Sequence, residues 1–132
     1  MVMDFRKQKP IFQQIADRLC ERIVAGEWEP DARIASVRDV AAELGVTPNT
    51  AMRSFDYLQQ REIIYNRRGT GYYVSPDARN KIIEMQRKEF LEDELPIIMQ
   101  KMQMLGLTID DLKCYEGSIN VVNVNNNQLE YN

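Results

Sequence analysis

The sequence predicts a mainly α fold with one small β-hairpin, continued by a helical tail. Three observations carry this reading. Apolar residues recur at helical spacing in three consecutive stretches between Pro10 and Leu58. Two β-rich runs, Ile63-Ile64-Tyr65 and Tyr72-Tyr73-Val74, flank a segment holding Gly69 and Gly71. From Leu91 to Leu105 an apolar seam alternates steps of four and three.

The first helix is expected over about residues 10–25. Pro10 suits a first turn, where its missing N–H is not needed. Ile11, Ile15, Leu19 and Ile23 are spaced by four, with Phe12, Ala16 and Val24 beside them, which makes one broad apolar stripe. Gly26 is the stop. The link Glu27-Trp28-Glu29-Pro30-Asp31 is a turn by composition, with Trp28 folded onto the core. A short second helix starts at Ser36, which can accept the N–H of Asp39, and buries Val37, Val40, Ala41 and Leu44 before ending at Gly45. A third starts two residues later, with Thr47 as cap and Pro48 in the first position. Ala51, Phe55 and Leu58 face inward; Asn49, Met52, Arg53 and Asp56 share another face. Two short helices across a tight glycine turn form a helix-turn-helix, and the hairpin behind them adds a wing. The expected fold is therefore a winged helix-turn-helix over 1–75.

In the tail, 76–116, helix formers fill 77–104, and a second helix is expected over 109–116 with Thr108 as cap and Asp111 answering it. Pro96 cannot donate to Glu92 and should kink or split the longer helix. Leu91, Leu95, Ile98, Met102 and Leu105 form a heptad-like seam suited to a partner helix, so the tail is expected to dimerise. Met85, Met99, Met102 and Met104 read as adaptable packing residues. Residues 117–132 are Asn-rich and are expected to be disordered.

Composition excludes several function classes. The chain of 132 residues has no histidine, which removes the commonest general base and metal ligand. Cys20 and Cys114 stand far apart without a partner motif, so neither a disulfide framework nor a cysteine metal site is expected, and Cys20 reads as a small core residue. No phosphate loop, dinucleotide fingerprint or nucleophile elbow occurs. No catalytic residue, metal or other cofactor is expected. No stretch approaches the ~20 apolar residues of a membrane span, and the charged N-terminus is no secretory signal, so the expected location is the cytoplasm. The net charge of −3 hides an asymmetry: residues 1–75 carry 11 basic and 10 acidic side chains, and residues 76–132 carry 6 and 10. Contact with a phosphate backbone needs a local basic face, not a basic chain.

The stretches Pro10-Ile-Phe-Gln-Gln-Ile-Ala16, Ile34-Ala-Ser-Val-Arg38-Asp-Val-Ala41, Leu44-Gly-Val-Thr-Pro-Asn-Thr50 and Arg68-Gly-Thr-Gly-Tyr-Tyr-Val74 resemble the GntR family of bacterial transcription regulators over about residues 5–75. The Thr-Pro-Asn-Thr helix start and the short tail resemble its YtrA-type subfamily. The resemblance implies an N-terminal winged helix that binds operator DNA, a C-terminal part that dimerises, and a regulator that represses transcription. Two positions depart from the family pattern. Ile34-Ala35-Ser36-Val37-Arg38 stands where Leu-Pro-Ser-x-Arg is usual, and Pro48 stands where a basic residue is usual. The base contact made from that second position is not carried over.

The expected DNA contacts follow. Arg38 opens the second helix, where a cation is otherwise unfavourable, and holds a family contact position. Thr47, Asn49 and Thr50 crowd the N-terminus of the third helix, where free N–H groups meet phosphate and an amide can read adenine. Arg53 lies one turn on, as a groove contact or as a solvated partner of Asp56 or Asp39. Arg67, Arg68 and Gly69 make the wing tip, set against the backbone or minor groove. Asp56 would sit at the edge of the groove and orient an arginine. The expected partners are double-stranded operator DNA and a second copy of the chain; no membrane is expected, and no effector can be named. The rival reading in another class is a winged helix that uses the same face to contact protein rather than DNA.

Overall fold

The computed structural model describes residues 9–116. The expectation for 117–132 lies outside the described residues. The chain divides into two compact units, the first ending at Arg87 and the second beginning at Lys88.

The first unit opens with α1, Ile11–Val24. Its end is closed by two bonds, Gly26 N–H to the Ile23 carbonyl and Glu27 N–H to the Arg22 carbonyl, with Gly26 at φ +87°. That pattern needs a left-handed residue, which glycine supplies without a Cβ clash. α2, Val37–Leu44, is capped by Ser36, whose Oγ accepts from Asp39 N–H at 3.0 Å. It ends at Gly45, φ +69°. α3, Pro48–Gln60, is capped by Thr47, whose Oγ1 accepts from Thr50 N–H at 3.2 Å. The hairpin pairs β1, Ile64–Arg67, with β2, Gly71–Val74, antiparallel, with Arg67 opposite Gly71 and Tyr65 opposite Tyr73.

Two features were not expected. Residues 32–34, for which the sequence predicts no element between the link ending at Asp31 and the helix starting at Ser36, add a third short edge to the hairpin. Arg33 bridges Tyr73; Ile34 N–H donates to the Tyr72 carbonyl and Val74 N–H to the Ala32 carbonyl, both at 2.9 Å. β2 is thus the central strand. The strands also reach further toward the tip than the β-rich runs. Arg67 closes β1, and the turn narrows to Arg67–Thr70, closed by Thr70 N–H to the Arg67 carbonyl at 2.9 Å.

The core gathers the stripes of all these elements. Leu19, Val40, Phe55, Leu58, Ile63, Ile64 and Val74 are fully buried or nearly so. Cys20 lies among them, and Trp28 packs on the cluster as expected. Ala78 and Ile82, in the first turns of α4, Ala78–Glu89, complete it, so the unit extends past residue 75. Tyr72 on β2 meets Phe55 edge-on at 5.0 Å, which seats the hairpin on α3.

In the tail, α4 runs into a π-helical turn, Phe90–Glu94, and then α5, Leu95–Met104. Pro96 has no N–H for the Glu92 carbonyl and its ring crowds that turn. The chain widens there, and Leu95 N–H reaches back five residues to the Phe90 carbonyl. The helix is interrupted in this form rather than ended. The second tail helix is shorter than expected: α6, Ile109–Leu112, followed by a 3-10 turn, Lys113–Tyr115. The Asp111 carboxylate accepts from Thr108 N–H at 2.7 Å and from its hydroxyl at 3.1 Å.

Candidate nucleic-acid interface

α3 is held by its inner face against α1. Ser54, fully buried, donates from Oγ to the Phe12 carbonyl at 2.7 Å. Tyr57 packs edge-on against Phe12 and accepts from Gln13 Nε2 at 3.1 Å. These contacts fix the roll of α3 and leave Asn49, Arg53 and Asp56 exposed. The Gly45 turn links α2 to α3, so Arg38, exposed in the first turn of α2, belongs to the same helix pair.

Each expected contact residue has a definite environment. Asn49 is exposed in the first turn of α3. Thr47 and Thr50 are tied together: beyond the cap, the Thr47 hydroxyl donates to Thr50 Oγ1 at 3.0 Å. Arg53 does not pair with Asp56 or Asp39. Its guanidinium lies over the Phe12 ring, 4.3 Å from the centroid. Cation and ring attract, and the planar group stacks without losing its outward edge. Asp56 therefore orients no arginine; its charge, after burial, raises the pKa of the Tyr72 hydroxyl.

At the wing, Arg67 and Arg68 separate in role. Arg67 sits on the strand with its guanidinium 4.9 Å from the Tyr73 ring, and Tyr73 stacks on Tyr65 at 5.7 Å. Tyr65 donates to Asp31 Oδ1 at 2.8 Å, a bond that raises the pKa of its hydroxyl. Arg68 occupies the exposed turn, followed by Gly69 at φ +80°. A Cβ on Gly69 would meet open space, so the glycine serves the turn's backbone and not a close approach.

The charges sort into two sets. Lys9 pairs with Asp17 at 2.8 Å, and Arg22 grips Glu27 at 2.6 Å, a bond that lowers the Glu27 pKa. Lys81 pairs with Glu62 at 2.6 Å. Arg38, Arg53, Arg67 and Arg68 make no ion pair among the described residues. Acidic side chains thus neutralise Lys9, Arg22 and Lys81, while the wing carries two unpaired arginines and the helix pair sets Arg38 and Arg53 beside the exposed Asp39 and Asp56. Sequence reasoning missed Arg33, which the third strand edge brings to the wing: a methyl built on Gly71 would lie 2.9 Å from Arg33 Nε.

Residues 11–74 match the family model described as bacterial regulatory proteins of the gntR family. The HTH-type transcriptional regulator YhcF of Bacillus subtilis is 32% identical over 108 residues, covering 82% of this chain and 88% of that protein. The chain belongs to the GntR family. The HTH-type transcriptional repressor YtrA of B. subtilis is 26% identical over 83% of this chain and 84% of its own length. A crystal structure from Bacteroides thetaiotaomicron, described as a transcriptional regulator of the same family, is 36% identical with a TM-score of 0.74 and covers 83% of this chain and 96% of that one. A GntR family transcriptional regulator from Listeria monocytogenes is 31% identical with a TM-score of 0.67. This GntR chain is therefore a DNA-binding transcription regulator and not an enzyme. Among the described residues no helix is long and apolar enough to cross a membrane.

Its second unit leaves a large apolar surface uncovered. Of the seam, Leu91, Ile98 and Leu105 are exposed and Leu95 and Met102 half-buried; Leu91 falls in the π-turn and Leu105 just past α5. Met99, Met102, Leu107 and Ile109 line an apolar groove of about 520 Å³.

Proposed function

We propose that the chain binds operator DNA in the cytoplasm as a homodimer and represses transcription. The observation that carries the DNA reading is the set of unpaired arginines: Arg38 and Arg53 on the helix pair, Arg67 and Arg68 on the wing, while Lys9, Arg22 and Lys81 are neutralised. In this reading Arg38, Arg67, Arg68 and the Gly69 backbone meet phosphates. The start of α3, with Thr47, Asn49 and Thr50, enters the major groove; Asn49 and Arg53 reach base edges. Thr47 and Thr50 act through the cap that orients the helix end. Leu91, Leu95, Ile98, Met102 and Leu105 pair two tails. Repression is supported by the likeness to the repressor YtrA.

Footprinting on the DNA upstream of the chain's own gene tests this. The expected result is a protected pseudo-palindrome with half-sites about one helical turn apart, or a multiple of it. Transcription in vitro from that promoter should fall as protein is added. Protection of a single half-site would remove the dimer, and increased transcription would remove repression.

A further inference from the structure

Arg33 stands on the strand edge that precedes α2, forty residues before the β2 positions it meets. Alternation fixes its side. Arg33 pairs with Tyr73, so its side chain shares a face with Tyr73, Tyr65, Arg67 and Gly71, opposite to the face of Tyr72 and Val74 that seals the core. The side chain runs toward the wing tip. Its Nε, Nη2 and Cζ would lie 2.9, 3.5 and 3.6 Å from a methyl on Gly71, the residue opposite Arg67. Gly71 is required by its φ of +133°, and the Arg33 guanidinium occupies the space its side chain would fill. Arg33 is exposed and makes no ion pair among the described residues. On the same face Arg67 rests on the Tyr73 ring. Two unpaired guanidinium groups on one face repel each other, and an anion between or beside them relieves the repulsion.

We infer that Arg33 contacts a DNA phosphate from the wing, as the companion of Arg67 on this face. The inference rests on the DNA-binding reading above and adds a contact residue to it. Its chemistry is sequence-independent: a charge on the backbone, positioned by the Gly71 gap, that releases one counterion on binding.

The test is a salt titration of the full chain on a mixed-sequence DNA duplex, which needs no knowledge of the operator. Arg33→Ala should flatten the slope of log affinity against log salt by about 0.9, the value of one phosphate. Arg33→Lys keeps the charge and should restore most of the slope. Thermal melting of both variants should match the parent, since the backbones of Asp31, Ala32 and Ile34, not the Arg33 side chain, bond to β2. A parent-like slope in Arg33→Ala, alongside a flattened slope in Arg68→Ala, would overturn the inference and leave the DNA reading standing. A lowered melting point with unchanged slope would also overturn it, making Arg33 a packing residue of the wing. A parent chain whose affinity for DNA ignored salt would overturn both readings.

Discussion

Cys20 is fully buried on α1, and burial, with the charges of Asp17 and Glu21, pushes its thiol up to about 12. A thiol with so high a pKa stays protonated at neutral pH and is a poor nucleophile. Cys114 is exposed. A thiol-reactive chromophore should therefore modify Cys114 alone in the native chain and Cys20 only after denaturation; rapid modification of both in the folded state would contradict this burial. Arg53 poses a different question at the same scale, because it stacks on Phe12 and is also exposed. Arg53→Ala should lower stability by about 0.5–1 kcal/mol through the lost cation–π contact. If the outer edge of the guanidinium reads a base, the change should further cost about 1–3 kcal/mol at the specific site and flatten discrimination there. Melting together with binding to specific and random duplexes separates the two effects. A shifted melting point with undiminished discrimination would confine Arg53 to the joint between α1 and α3. The sequence showed that Arg53 lay on the outer face, but Phe12 is far away along the chain, so periodicity could not find the stack.

Elements were legible where their signals are local. The Ser36 and Thr47 caps, the Asp111 partner of Thr108 and the stops at Gly26 and Gly45 each sit within a few residues of the bond they make. The edge at residues 32–34 was not legible. It is too short to show alternation, and its bonds go to Tyr72 and Val74, which only the tertiary fold brings near. The π-turn was half legible: Pro96 announced a broken ladder, but its resolution into a wide turn depends on Leu95 reaching Phe90. Gly45 offers the sharpest check on an element boundary. A Cβ there meets nothing within 4 Å, so the cost of Gly45→Ala is purely that of a left-handed alanine, about 1–2 kcal/mol. The expected loss in Tm is several degrees, with Ala42→Gly, a mid-helix change, as a comparison for ordinary helix weakening. An unmoved Tm for Gly45→Ala would mean that α2 and α3 can be joined through another turn.

For the whole molecule, the exposed face proposed for DNA was more legible than the tail. Arg38, Asn49, Arg53 and Arg68 are all exposed, as the helix periods and the hairpin tip required; Arg33 escaped notice because its place depends on pairing across forty residues. The tail's seam was readable as a pattern, but a pattern does not say what covers it. Leu91 and Leu105 are 54% and 67% exposed, and Met99, Ile109 and Tyr115 add to the same unit's uncovered apolar surface. Exposed apolar area of this kind is unusual on a monomer and marks an association surface. If two tails pair through the seam, Leu95→Glu with Ile98→Glu buries four like charges in one interface, two from each chain, and association should be lost. Both positions are half-buried or exposed in the single chain, so the first unit, with its own core, should melt as before. Sedimentation should then report monomers. Because one winged helix supplies half of the phosphate contacts, the salt slope on the operator should fall to about half that of the parent. A dimer that persists through this double change would place the interface on another surface, and a monomer with the parent's full slope would show that one chain alone makes all the DNA contacts.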